Sequence, residues 1–330
     1  MNANEQHDNE QPGDVRHHSG PYDVVVVGGG AAGLSAALVL GRSRRRTLVI
    51  DAGEPRNAPA AHMQGFLSRD GMSPADFLEV GRREIAAYGV EWTAGRVTAA
   101  VPRSDGPDGF VVTVDDGRRV EARRLVVTTG LVDELPEIDG LAERWGREVL
   151  HCPYCHGWEV RDRAFGVIAH PVMSVHQAVV VSQWSDDVTL FLHTADELSA
   201  EDRARVATAG VEVVTGEVAG LVVEDDRFTG VRMADGRVVE REVLFVGPRM
   251  TPRDDLLTAL GAATRETPLG TFVAVDETGR TSVPGVWAAG NAIGAQEQVI
   301  NAASGGYRAG VAINMELIMS DLDRKVSAAG

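Results

Sequence analysis

Between Tyr22 and Ala52 the hydrophobic pattern changes character twice. Asp23–Val27 is an apolar, β-branched run and predicts a strand, which ends in Gly28-Gly29-Gly30-Ala31-Ala32-Gly33. Alanine and leucine then set a helix over Ala31–Leu40, and Arg46–Ile50 predicts a second strand closing on Asp51. The segment is one βαβ unit. Phe110–Val114 and Arg119–Glu121 flank Asp115-Asp116-Gly117, a hairpin signal, and a further apolar strand, Leu125–Thr129, ends at Gly130. Leu135-Pro136-Glu137 reads as a linker.

The pattern then repeats. Phe165–Ala169 predicts a strand, Val172–Ser182 a helix and Val188–His193 another strand, a second βαβ unit. Phe228–Met233 and Arg237–Val239 flank Ala234-Asp235-Gly236, echoing the first hairpin, and Val243–Val246 follows as a strand. The chain returns through 281–291 to a final helix of about Val299–Met319. The plan is discontinuous: residues 21–134 and 248–320 form one domain, 135–247 an inserted one, 1–20 a disordered leader and 321–330 a tail.

Composition adds limits. Val24–Gly41 carries no charge and approaches the length of a membrane-spanning helix, but three consecutive glycines divide it into strand, turn and helix. Met1–Gly20 lacks the basic start and apolar stretch of a signal peptide, so a cytoplasmic protein is expected. The net charge of −16 argues against nucleic acid or an anionic membrane as partner. The 330 residues contain two cysteines, both in Cys152-Pro153-Tyr154-Cys155, and a cytosolic chain has little use for a structural disulfide.

Gly28, Gly30 and Gly33 fit G-x-G-x-x-G directly after a strand and before a helix. The first glycine permits the tight turn, the second lets a pyrophosphate approach the backbone, and the third allows close packing of helix on strand. The helix N-terminus, with Ala31 and Ala32, faces the phosphate charge, and Asp51, beside Ala52, stands where a ribose hydroxyl is bound. The cysteine pair has three readings: a redox disulfide, an inert pair, or a zinc site with the flanking His151 and His156. Four ligands within six residues do not readily surround a tetrahedral zinc. A C-x-x-C at a helix N-terminus holds its sulfurs at disulfide distance and lowers the first thiol's pKa. His156 is a candidate proton shuttle, or else a surface histidine of the turn; His151 is the weaker candidate.

From about Asp23 to Met319 the chain resembles the thioredoxin reductase family. Val126-Val127-Thr128-Thr129-Gly130 is similar to the second FAD-contacting segment of such flavoproteins, and Val286-Trp287-Ala288-Ala289-Gly290-Asn291 to the third. Asn291 stands where the family usually has Asp, and still offers a donor and an acceptor to a ribityl hydroxyl. The resemblance implies an α/β fold of two Rossmann-like domains, the second inserted in the first, with FAD as cofactor. The helix beginning at Gln298-Val299 would then aim its amides at the flavin pyrimidine. The Cys-Pro-Tyr-Cys-His-Gly run resembles the branch of FAD-dependent dithiol oxidases acting on natural products such as holomycin and gliotoxin; thioredoxin reductases carry Asp at the position of His156. By that resemblance Cys155 lies against the flavin, Cys152 exchanges with substrate, and the protein is a homodimer.

The second unit departs from an NADPH-binding pattern. After Phe165–Ala169 the chain reads His170-Pro171-Val172-Met173-Ser174, without glycine, and Pro171 removes an amide from the turn. Where family reductases carry a His-Arg-Arg cluster for the 2′-phosphate, this chain has His193-Thr194-Ala195-Asp196-Glu197. The nicotinamide site is therefore expected to be lost. The leading expectation is a dithiol oxidase that takes electrons from a small-molecule dithiol and passes them to O2. The nearest alternative is a thioredoxin reductase fed by NADPH or ferredoxin. A flavin-dependent sensor without turnover is the reading from another class.

Overall fold

The computed structural model describes residues 20–103, 109–169 and 174–329; the segments Met1–Ser19 and His170–Met173, on which the expected leader and the start of the second unit's helix fall, lie outside the described residues. Tyr22–Val27 is the centre of a seven-stranded sheet. Thr47–Asp51 and Arg119–Val127 flank it in parallel, Glu91–Ala94 extends one side, and Phe110–Val114 and Val97–Pro102 add antiparallel strands on the other. The late strand Val286–Ala288 pairs with Arg119–Val127, so the two ends of the chain build one sheet. Val24 and Val26 pack beneath Leu34, Ala37, Leu40 and Ile313, whereas Val25 and Val27 face Phe110, Leu256 and Leu257. A strand covered on both faces needs an unbroken apolar run, which four consecutive valines supply.

The middle of the chain forms a second parallel sheet, ordered Glu212–Val214, Val188–Phe191, Phe165–Ile168, Val243–Val246, Val149–Leu150. Leu131–Glu134 and Arg249–Pro252, where the chain leaves and re-enters the first unit, pair antiparallel. The architecture is α/β, with one Rossmann-like unit inserted in another. Among the described residues no helix is long and apolar enough to cross a membrane.

Two expectations change. The segments Arg119–Glu121 and Leu125–Thr129 are one strand, Arg119–Val127. The expected helix Val172–Ser182 is present as Ser174–Val181, its first two residues lying outside the described residues. The last helix runs from Val299 to Ala329, so the expected tail is helical through Ala329. Its later part is fastened by Asp321, which pairs with Arg45, Arg123 and Arg324. Burial alone would raise the Asp321 carboxyl, but hydrogen bonds from the three arginines outweigh it and hold the pKa at about 2. The same helix approaches Ala31–Arg42 closely: a Cβ on Gly306 would stand 1.9 Å from the Ala32 carbonyl oxygen, so no side chain fits there.

Candidate active site

The glycine turn is shaped by its neighbours. Gly28 has φ +101°, and a Cβ on it would lie 2.5 Å from the Thr128 carbonyl oxygen. A Cβ on Gly33 would meet the Gly28 carbonyl oxygen at 1.9 Å, so the helix can sit on the turn only without a side chain there. Gly30 differs, since a Cβ on it would point into open space. It caps the helix without a side-chain hydrogen bond, leaving the first amides, with Ala31 and Ala32, at the wall of a cavity. Asp51 Oδ1 accepts a hydrogen bond from the Gly29 N–H at 2.9 Å, which fixes the carboxylate beside the turn; Ala52 follows it along the same wall.

That cavity, about 860 Å³, lies in the upper part of the range for small-molecule and cofactor sites. Thr129, Gly130, Gly290, Asn291, Gln298 and Val299 line it with the glycine turn, as do Cys152, Cys155 and His156. Thr129 Oγ1 donates to the Arg253 carbonyl at 2.5 Å, and Gly130 and Gly290 take the left-handed backbone, φ +75° and +69°. Asn291 departs from expectation. Its Nδ2 donates to the Gly294 and Ala295 carbonyls at 3.0 and 3.2 Å, so the donor is spent on its own loop and its oxygen is the group left to offer a ligand.

Cys152 begins a four-residue helix, Pro153–His156, and is joined to Cys155 in a disulfide with Cα atoms 5.3 Å apart. Gln298, expected at the flavin, reaches across both sulfurs: Nε2 is 3.5 Å from Cys152 Sγ and Oε1 is 3.3 Å from Cys155 Sγ. His156 is half-buried, and burial pushes its pKa below the ordinary histidine value, favouring the neutral ring. His151 is pushed down for the same reason; its Nδ1 lies 3.1 Å from the Val246 carbonyl oxygen, the geometry of a donated hydrogen bond.

Sequence reasoning missed two further features of the cavity. Arg56 donates to both oxygens of Asp133 at 2.7 Å and to the Ala295 carbonyl at 3.3 Å, tying three segments together. Glu297 is half-buried, and burial raises its carboxyl pKa. No spacing pattern announces either. In the second unit His193 has φ +52° and its Nδ1 accepts the Val218 N–H at 3.0 Å, so this side chain is committed to the backbone.

Residues 22–306 match the family model described as pyridine nucleotide-disulphide oxidoreductase, and the chain belongs to that family. It is 30% identical over 316 residues to thioredoxin reductase sirT of Leptosphaeria maculans, covering 91% of this chain and 96% of that protein. The solved structure of HlmI is 49% identical and superposes with a TM-score of 0.90 over 94% of this chain and 97% of its own. An oxidoreductase from Agrobacterium tumefaciens is 39% identical, with a TM-score of 0.84 over 91% and 99%. The protein is thus a flavin-dependent oxidoreductase with FAD as its cofactor. The residues present fit that group: the turn excludes side chains where the chain must pack and leaves Gly30 open where a pyrophosphate must approach.

Proposed function

We propose that the protein is a dithiol oxidase, which closes a disulfide in a small-molecule dithiol and delivers the electrons to oxygen as hydrogen peroxide. The observation that carries this reading is one cavity holding both the glycine turn and a Cys152–Cys155 disulfide followed by His156. The glycine-free sequence His170–Ser174 in the inserted unit and the commitment of His193 to the Val218 amide favour an enzyme without a nicotinamide donor.

Gly28, Gly30, Ala31, Ala32, Gly33 and Asp51, with Ala52, Thr129, Gly130, Gly290 and Asn291, would hold FAD, within a domain of residues 21–134 and 248–320. When bound, FAD would supply the two-electron acceptor that the reduced cysteine pair needs, with O2 as the final oxidant in this proposal. The protein's own groups perform the exchange. A substrate thiolate attacks Cys152 Sγ, the bond to Cys155 breaks, and its electron pair leaves on the Cys155 sulfur. The second substrate thiol gives its proton to neutral His156 and attacks the substrate sulfur of the mixed disulfide. The substrate disulfide closes, and Cys152 departs as thiolate.

His156→Ala is expected to retain FAD and the disulfide yet slow dithiol oxidation by about 10²-fold, the usual scale for a lost acid–base group. The neutral ring is the active base, and its pKa lies below the ordinary value of about 6.5. The wild-type rate should therefore show a limb that falls as the pH drops through the His156 pKa, below the ordinary histidine value, in addition to any limb set by ionisation of the substrate thiol. In the variant the histidine limb should vanish. Rates unchanged across the range would return His156 to a structural role.

The test of the reading is turnover in air: dithiol consumption should be matched by about one peroxide per disulfide formed. A thioredoxin reductase reading draws on the name of the relative from Leptosphaeria maculans. It would be favoured by reduction of thioredoxin at the expense of NADPH or ferredoxin, with no oxygen uptake from dithiols. The proposal also includes a cytoplasmic homodimer. Tyr307, Val311, Met315, Ile318, Leu322 and Val326 are exposed at spacings of three and four along the last helix, an apolar stripe suited to a second copy.

A further inference from the structure

The cysteine helix has only four residues and a correspondingly weak dipole, so it offers little stabilisation to a thiolate at its start. Burial pushes both flanking histidines toward their neutral forms. Yet exchange at this disulfide must generate negative charge on sulfur, and what touches the sulfurs is Gln298, brought from 143 and 146 residues away.

The contacts have a definite polarity. Nε2 at 3.5 Å from Cys152 Sγ is an N–H donor to sulfur. Oε1 at 3.3 Å from Cys155 Sγ is an acceptor facing an atom that carries no hydrogen while the disulfide is intact. A substrate dithiol that reduces this pair gives it two electrons and releases two protons. If one of them returns from His156 to the pair, the sulfurs become one thiolate and one thiol. A primary amide matches that state, with N–H toward the thiolate and oxygen toward the S–H. Rotation of the amide by 180° serves the opposite assignment equally well.

We propose that Gln298 is a catalytic hydrogen-bonding residue that holds the reduced Cys152–Cys155 pair in its singly protonated form. The role rests on the cysteines cycling between disulfide and dithiol, and is independent of whether oxygen or another acceptor completes the cycle. It differs from the flavin contact expected from the sequence, because the amide acts on the reacting sulfurs. Other ionisable groups lining the cavity, including His151 and His156 beside the cysteines, His176, Glu297 and the Arg56–Asp133 pair, remain the same when Gln298 alone is changed.

The test is the pH profile of iodoacetamide alkylation of the anaerobically reduced holoenzyme, with mass spectrometry to locate the modified cysteine. In the wild type, alkylation should set in well below the ordinary thiol pKa of about 8.5. In Gln298→Leu the profile should move up by about one unit, slowing alkylation at pH 7 about tenfold, since a hydrogen bond to a charged group is lost. In Gln298→Glu it should move further up, because a carboxylate repels a neighbouring thiolate. Should the Leu variant fail to fold or retain flavin, the Glu variant decides alone. Profiles superimposable on the wild type, or a downward shift with Glu, would overturn the role, even where FAD affinity falls. A wrong oxidase reading would show instead as NADPH-driven turnover, with the alkylation shift intact.

Discussion

Replacing either cysteine should abolish steady-state dithiol oxidation, by on the order of 10³-fold or more, and the two losses should differ in colour. Cys152 starts the short helix and Cys155 lies one turn along it; neither sulfur is free while the disulfide is intact, and removing one cysteine frees the other. On the proposed roles, Cys152→Ser leaves the flavin-side sulfur as a thiolate, and the yellow protein should show a long-wavelength charge-transfer band. Cys155→Ser leaves the exchanging sulfur, which can still form a mixed disulfide with substrate but should show no such band. A visible-absorption titration from pH 5 to 9 separates them. A band confined to Cys155→Ser would reverse the roles, and retained turnover in either variant would remove the disulfide from the reaction.

The parts of the molecule most legible in the sequence are those where one environment governs a whole segment. Tyr22–Val27 is buried along most of its length, and the glycines that follow answer to contacts within the same βαβ unit, so a local pattern carries the signal. Arg119–Val127 was harder because its surroundings change along the strand. Arg119–Ala122 pairs with the hairpin partner Phe110–Thr113, whereas Leu125–Val127 is enclosed between two parallel strands and is entirely apolar. Alternation followed by a continuous apolar run resembles two strands. The end of the last helix is hidden for a related reason: Asp321 is a surface-like residue by type, and the distant Arg45 and Arg123 make it an anchor.

The site divides in the same way. The cysteine pair, His156 and the glycine turn announce themselves by residue type and spacing. Gln298 was legible only as the start of a helix, because its contact with the sulfurs depends on how the two units meet. The Arg56–Asp133 pair joins residues 77 apart and leaves no periodic trace. Asn291 offered a donor on paper, but that donor is satisfied three and four residues ahead, a local turn that side-chain chemistry alone does not reveal.

On the proposed function, electrons enter this flavoprotein from a dithiol and not from a nicotinamide. A nicotinamide site needs amides facing a pyrophosphate and, for NADPH, cations facing the extra phosphate. The sequence at those positions supplies Pro171 without glycines, and then Thr194, Ala195 and Asp196, next to a His193 held by the Val218 amide. The decisive measurement is anaerobic stopped-flow absorbance of the bound flavin, mixed in turn with NADPH, NADH and a small dithiol. Rapid, saturable bleaching by the dithiol is expected, with reduction by either nicotinamide slower by at least about 10³-fold, because binding and orientation of the hydride donor are lost. Fast, saturable bleaching by micromolar NADPH would contradict the proposed function and make the protein a pyridine-nucleotide-driven disulfide reductase.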